Sequence, residues 1–441
     1  MLSTTLIRIL SSRRASLAAG VASSRSASRV LAPLLALGVL ALAHCHNPKI
    51  PLKNRGGGGT GGDAGAAGSP SGEAGEGQGG TTAGGTTSGG TSGSGNGGSA
   101  PVGPYMMGID ISSVQEAIDG GARYVDTDGV TKDVLELFKN HGFNTVRLRT
   151  FVDPSAPYGY AQGTGGSCIK RESYCDLEHT VEFGREIKNA GMGFMLDFHY
   201  SDTWADPGKQ IIPEAWREAE SVEELAALLK AYTKNAITTL VDAGARPDIV
   251  QVGNEITPGM LIHVPTQSTD CWGNNSTPNP VNGSAGRWDD LAMLLIAGIE
   301  GVKEVDAGIE IVLHLENTDW KAGAIEWVEN ARSRGVEFDI LGLSAYPAWQ
   351  GEPAVWRDTF ETLAATFPDL SFVIAEYNPA RREANQIMFD LPDGRGRGTF
   401  FWEPTQSGVW GAALFTQMNG AYHANHADFA EFDAMKLELG L

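Results

Sequence analysis

The chain has 441 residues with 57 glycines, and its 53 acidic against 33 basic side chains leave a formal net charge of -20. Such acidity argues against nucleic acid and anionic membrane surfaces, both of which call for basic patches, and is compatible with a neutral polymer as partner. Length alone allows two or three domains, but many of the glycines crowd into one block and leave a single globular region.

Arg8, Arg13, Arg14, Arg25 and Arg29 lead into an apolar run, Val30–Ala43, that is too short for an ordinary membrane span and has the length of a signal segment's apolar core. The "LAHC" that follows has the form of a bacterial lipobox ending at Cys45, with His44 where a small residue is usual. Residues 1–45 are therefore expected to direct export, either by ordinary secretion or with a lipid anchor on Cys45. From Gly56 to Ala100 the chain is Gly-, Ser- and Thr-rich and offers little apolar surface to offset chain entropy, so residues 46–104 read as a flexible tether. In "CIKRESYC" a Cys168–Cys175 bridge would close a small local loop, with Cys271 further on. No paired CxxC units exist, which argues against a zinc knot.

From Tyr105 to the C-terminus, short apolar runs end repeatedly in polar residues. They are "YMMGIDIS" (105–112), "NTVRLRTF" (144–151), "GFMLDFHY" (193–200) and "DIVQVGNE" (248–255), then "IEIVLHLEN" (309–317), "FDILGLSAYP" (338–347), "LSFVIAEYN" (370–378) and "GTFFWEPT" (398–405). Helical patterns separate most of them, from "VTKDVLELFKNHG" to "PAVWRDTFETLAATF", and several close on Gly. Strands alternating with helices imply parallel pairing through right-handed crossovers, and eight strands suffice for a (β/α)8 barrel. An open doubly wound sheet is the alternative, but no GxGxxG follows a strand. The expected architecture is thus a TIM barrel over residues 105–441.

In such a barrel the chemistry sits at the C-terminal ends of the strands. Those ends carry Asp110, Arg147, Arg149, Asp197, His199, Asn254, Glu255, His314, Glu316, Tyr346, Glu376, Trp402 and Glu403. A lone carboxylate there is more often a cap or surface group. Two on suitable strands can break a glycosidic bond, one as acid/base and one as nucleophile. Glu255, beside an amide, suits the acid/base, and Glu376 in "AEYN" suits the nucleophile; Glu316 and Glu403 are rivals, the latter read as a rim or supporting group.

"GID", "NTVRLR", "LDFHYSDTWADPGKQ", "VGNEI", "LGLSAYP", "AEY" and "FFWEP" resemble, in order, glycoside hydrolase family 53, the endo-β-1,4-galactanases. The resemblance implies a retaining (β/α)8 enzyme with Glu255 as acid/base and Glu376 as nucleophile. It also implies action on the β-1,4-galactan side chains of pectin or type I arabinogalactan. A mannanase or xylanase of the same clan, or a non-catalytic glycan-binding barrel, is the alternative.

Around the pair, Asn254 is suited to the sugar 2-hydroxyl, Arg147 to an ion pair with Glu376, and Tyr346 to a hydrogen bond with the same carboxylate. Trp402 offers a floor for a sugar ring. Asp110, His199 and His314 are expected to contact hydroxyls, and Trp204 and Trp349 to extend the groove. No HxH or HExxH accompanies the histidines, so no metal or cofactor is expected. The short excursion after Glu376 argues against the calcium that some bacterial family members place there. The "PTQSTDCWGNNSTPNPVNGSAG" loop is extra relative to the family. The chain is expected to act as a monomer on a polysaccharide.

Overall fold

The computed structural model describes residues 103–441 apart from 167, 169 and 406–412. The expected export segment with Cys45 lies outside the described residues, as does nearly all of the tether. The strands β1 (Met106–Asp110), β2 (Thr145–Thr150), β3 (Gly193–Phe198) and β4 (Ile249–Val252) pair in parallel. They continue through β5 (Glu310–Leu315), β6 (Ile340–Ala345), β7 (Ser371–Tyr377) and β8 (Gly396–Trp402), and β8 pairs with β1 to close the barrel. Each strand lies within one of the apolar runs expected from the sequence, except that β8 begins two residues earlier, at Gly396.

The helices that follow the strands are α1 (Val134–Asn140), α2 (Leu177–Asn189), α3 (Val222–Asp242), α4 (Trp288–Lys303), α5 (Lys321–Arg332), α6 (Pro353–Thr366), α7 (Arg381–Phe389) and α8 (His426–Leu439). Helix α1 starts later than the "VTKDVLELFKNHG" pattern implies. Asp133 caps it by accepting from the backbone N–H of Leu135 and Glu136, and Thr131–Lys132 before it is an extended strand pairing with Tyr124–Val125. Helix α7 was not anticipated, because its apolar face is short: Ala384, Ile387 and Met388.

Strand alternation divides the apolar residues in two. Met107, Ile109, Val146, Leu148 and Leu196 face the helices, while Met106, Met195, Ile249, Val312, Ile340, Val373, Ala375 and Phe400 fill the barrel. Gly108 leaves room for this filling, since a Cβ there would meet the Phe400 ring at 2.4 Å. The interior is therefore a packed plug that closes the barrel beneath the C-terminal strand ends.

The Cys168–Cys175 bridge does not form. Cys168 joins Cys271, 103 residues away, whereas Cys175 is a free buried thiol packed with Phe151, Tyr160 and Tyr174. Its Sγ lies 3.7 Å from the Ser112 carbonyl, so it is turned toward the barrel. The extra loop itself is built: His263–Pro265 pairs with Ser276–Pro278, and the Trp272 indole N–H donates to the Tyr160 carbonyl at 3.0 Å. The disulfide and this hydrogen bond thus clasp the loop after β4 to the loop after β2.

A disulfide typically contributes about 2–4 kcal/mol, largely through the unfolded chain. Replacing Cys271 by Ser is expected to lower the unfolding free energy by that amount in urea titrations, and reductant to do the same to the natural protein. A midpoint unchanged by either treatment would contradict the structural role of the clasp.

Candidate active site

Arg147 projects from the middle of β2 into the barrel mouth, where all five of its N–H groups are used. Nη1 donates to Asp110 Oδ2 at 2.7 Å and to Glu376 Oε1 at 3.0 Å, and Nη2 to Asp197 Oδ2 at 2.9 Å and Asn254 Oδ1 at 2.8 Å. Nε donates to Gln251 Oε1 at 3.2 Å. One side chain from β2 thereby ties together β1, β3, β4 and β7. Burial opposes the guanidinium charge, but Asp197, Glu376 and Asp110 hold it firmly protonated. Burial would likewise lift Asp197, yet Arg147 and His199 keep its carboxyl below the usual range.

Glu376 owes its place to a break in strand alternation. The register between β6 and β7 shifts at Leu343–Ser344, so Ser344 rather than Ala345 stands opposite Glu376. Ala375 can then fill the barrel while its neighbour Glu376 reaches the mouth. The Tyr346 hydroxyl donates to Glu376 Oε2 at 2.9 Å, so both carboxylate oxygens have donors. Burial pushes the Glu376 carboxyl up, and Arg147 and Tyr346 oppose that rise. Tyr346 itself is held protonated by burial and by the adjacent Glu376 and Glu255.

Glu255 leaves β4 through Gly253 at φ 84° and sits at φ 49° itself, a left-handed conformation that few non-glycine residues adopt. Its Oε1 lies 2.7 Å from Ser344 Oγ, on the strand that pairs with Glu376. Burial and the nearby charge of Glu376 push its carboxyl well above the ordinary value. Of the two glutamates, Glu255 is thus the one pushed furthest toward its neutral form, and Glu376 the one with a cation beside it.

The other residues singled out from the sequence fall into two groups. Asp110, Asn254, His199 and His314 are enclosed. Asp110 also accepts from Ser112 Oγ at 2.7 Å, and Asn254 Nδ2 donates to the Ala205 carbonyl at 2.9 Å. His199 accepts at Nδ1 from the Ala205 N–H at 2.9 Å and places Nε2 3.2 Å from Asp197. His314 is fully enclosed, with Nδ1 2.9 Å from Asn254 Oδ1 and Nε2 3.0 Å from Ser344 Oγ. Its ring thus supports Asn254 and Ser344 from behind. Burial, and then Arg147, push His314 well below the usual histidine value, so it is neutral.

The aromatic residues line the mouth. Trp402 stands 6.4 Å from Trp204 and 6.3 Å from Tyr346, ring centre to ring centre, and Tyr346 stands 5.2 Å from Trp349. Trp349 is 71% exposed, whereas Arg149 stacks over the Trp204 ring at 4.0 Å. Glu403 is no rim group: it is buried, accepting from Arg149 Nη1 at 2.7 Å and Ser113 Oγ at 2.6 Å.

Gln251 and Ser344 belong to the site but escape a reading of strand tips alone. Gln251 lies inside the apolar strand "IVQV", and its polarity in phase with inward-facing Ile249 was the available signal. Ser344 is in phase with Tyr346, two residues on, in "LGLSAYP".

A model of glycosyl hydrolase family 53 matches residues 106–386. The arabinogalactan endo-β-1,4-galactanase of Cellvibrio japonicus is 34% identical over 56% of this chain and 58% of its own length. The endo-β-1,4-galactanase of Bacillus subtilis is 30% identical over 67% of this chain and 59% of its own, so the chain spans under two thirds of either relative. The solved GH53 catalytic domain of Ignisphaera aggregans superposes with a TM-score of 0.63 at 27% identity, covering 76% of this chain and 98% of that domain.

Replacing Arg147 by Met leaves Asp110, Asp197 and Glu376 buried without their counter-charge, and is expected to destabilise the protein by more than about 3 kcal/mol at neutral pH. The depressed Asp197 carboxyl contributes stability that is present above the unfolded value near 4 and lost as pH falls through the folded one. The gap between natural protein and variant should therefore narrow as pH drops below about 4. Urea unfolding across pH measures both effects, and a constant gap would remove the ionic explanation.

Proposed function

The chain belongs to glycosyl hydrolase family 53, and we infer that it hydrolyses internal β-1,4-galactosidic bonds of galactan by double displacement with retention. The observation that carries the mechanism is the opposed environment of the two glutamates on either side of Ser344. Glu376 has a guanidinium and a phenol donating to its two oxygens, which supports the ionised form a nucleophile needs. Glu255 has no such cation and holds a proton for the leaving oxygen.

In the first half-reaction a Glu376 oxygen attacks the anomeric carbon while Glu255 gives its proton to the departing glycosidic oxygen. This leaves a galactosyl ester on Glu376 and a carboxylate on Glu255. In the second, the Glu255 carboxylate takes a proton from water as that water attacks the anomeric carbon, and Glu376 departs. Two inversions restore the starting configuration. Arg147 and Tyr346 accompany Glu376 through the cycle, stabilising the carboxylate at its start and end.

Trp402, with Trp204, Tyr346 and Trp349 nearby, offers faces for the C–H side of galactose rings, with Trp349 the most exposed of them. We assign the Arg147-bound Asn254 amide to the 2-hydroxyl, and His199 and Asp110 to other polar groups of the sugar. We further propose export of the chain, by secretion or by a lipid on Cys45, and action as a monomer. The basic lead, the apolar run Val30–Ala43 and the glycine-rich tether support export.

Purified protein is expected to release reducing ends from linear galactan and to leave mannan, xylan and cellulose intact. Cleavage of one of those glycans with galactan untouched would overturn the substrate assignment. Glu376→Ala is expected to lower kcat by about 10^4-fold or more, with azide partly restoring turnover and yielding a glycosyl azide of inverted configuration. Full activity in that variant would remove Glu376 from the nucleophile's role.

A further inference from the structure

We propose that Ser344 and His314 form a relay behind Glu255 that holds the acid/base in its protonated form in the free enzyme. The inference rests on Glu255 being the acid/base, and follows from counting protons outward from Arg147.

Arginine only donates hydrogen bonds, so the Asn254 atom 2.8 Å from Arg147 Nη2 must be the amide oxygen. The other end of that amide agrees, because Nδ2 donates to the Ala205 carbonyl. The same Asn254 oxygen lies 2.9 Å from His314 Nδ1, and two acceptors cannot share such a contact. His314 Nδ1 therefore carries a proton. Gln251 Nε2 is 3.2 Å from this nitrogen, but its two protons have acceptors in Asp197 Oδ1 at 2.6 Å and the Gly253 carbonyl at 3.1 Å.

With the proton on Nδ1 and the ring neutral, Nε2 is a lone pair, and the group 3.0 Å away must donate to it. That group is the Ser344 hydroxyl, which has one proton. Ser344 then has none to give Glu255, whose Oε1 stands 2.7 Å from the same Oγ. The short contact is satisfied when Glu255 carries the proton and donates it to Ser344. The ordered chain is Glu255 O–H to Ser344 Oγ, Ser344 O–H to His314 Nε2, and His314 Nδ1–H to Asn254 Oδ1. When Glu255 ionises, its carboxylate and the His314 lone pair compete for the single Ser344 proton, and this competition disfavours ionisation. Ser344 and His314 are positioning residues that act through Glu255.

The charged and titratable groups around the relay point the same way. Glu255 is faced by Glu376 from β7, Glu316 from the end of β5 and Asp206 from the loop after β3. Tyr346, just past β6, lies beside it, held neutral as described. His314 is faced by Arg147 from β2, by Asp197 from β3 and by His199 just past its end. Anions around Glu255 favour its neutral acid, and Arg147 disfavours a second cation on His314. The alternative, a Ser344 hydroxyl donating to an ionised Glu255, requires His314 to be an imidazolium or to direct a lone pair at the Asn254 oxygen.

The two arrangements give opposite signs in one substitution. Ser344→Ala removes a partner of the neutral acid in the relay, so the alkaline limb of the kcat/KM profile on galactan should move down by about one pH unit, the worth of one buried hydrogen bond. Ser344→Thr, which keeps the hydroxyl, should restore the natural profile. A limb that moves up in Ser344→Ala, as for a lost donor to a carboxylate, or does not move, overturns the relay.

A second measurement reads the proton position on the natural free enzyme. Long-range proton–nitrogen spectra of the 15N-histidine-labelled free enzyme should show His314 as a neutral ring protonated at Nδ1, its signal identified by its absence in His314→Gln. A ring protonated at Nε2, or at both nitrogens, overturns the proposal. The acid/base reading is tested apart from this. Glu255→Gln should abolish galactan cleavage yet spare an aryl galactoside whose leaving group needs no proton. Retained galactan cleavage there would sink that reading, whereas its loss together with an upward limb in Ser344→Ala would sink the relay alone.

Discussion

A single arginine at a strand centre, with each of its five N–H groups directed at a different partner, sets the geometry of this site. Arg147 reaches three carboxylates and two amides on four other strands or strand ends. Its planar fork fixes angles as well as distances, which a lysine's single ammonium could not. Because it only donates, it also decides which way the Asn254 and Gln251 amides face. Proton positions several bonds away inherit that decision. The charge balance is tight: one buried cation touches Asp110, Asp197 and Glu376, and it holds Asp197 below its usual range while Glu376 is still raised by burial.

The barrel supplies what such a cluster requires from below. Met106, Met195, Ile249, Val312, Ile340 and Phe400 form a dry plug, and the first layer above it is almost entirely polar. In this low-dielectric setting each hydrogen bond is strong and each unmet donor costly, so the polar layer has to be closed on itself. That closure reaches Arg149 and Glu403, which with Ser113 make a second ion pair beneath Trp204. The second pair holds the indole in place from below, and Trp204 in turn lies beside Trp402 across the mouth.

The strands, their order and the two glutamates were legible in the sequence because period-two alternation and polar strand ends are local signals. Less legible was anything that depends on register. Glu376 follows Ala375, and both face inward, which strict alternation forbids; the shift at Leu343–Ser344, matched on the β8 side between Ile374 and Tyr377, permits it. Ser344 reads as an unremarkable small residue until that shift sets it opposite Glu376. His314 reads as a residue for the substrate because it ends a strand, yet its ring is spent on Asn254 and Ser344. The cysteine pairing was hidden for a related reason. Sequence proximity favours Cys168 with Cys175, but Cys175 turns inward under Tyr160, and the partner comes from a loop 103 residues on.

Strain at the strand ends follows from the same layering. Tyr200, Glu255 and Glu403, at or just beyond the ends of β3, β4 and β8, all have φ between 46° and 49°. Each such residue costs on the order of 1 kcal/mol or more and persists only where its surroundings dictate the conformation. For Glu403 the surroundings are Arg149 and Ser113, and for Tyr200 they include Thr233, whose hydroxyl lies 2.8 Å from the phenol oxygen. For Glu255 they are Gln210, which donates to the Asn254 carbonyl at 2.9 Å, and the Ile256 N–H, which donates to the His314 carbonyl at 2.9 Å. The left-handed turn brings the side chain to Ser344. A regular strand end would have left that carboxyl with solvent, at an ordinary pKa, and without a proton to give at neutral pH. The backbone conformation of one residue thus connects the closed polar layer beneath the mouth to the acid step above it.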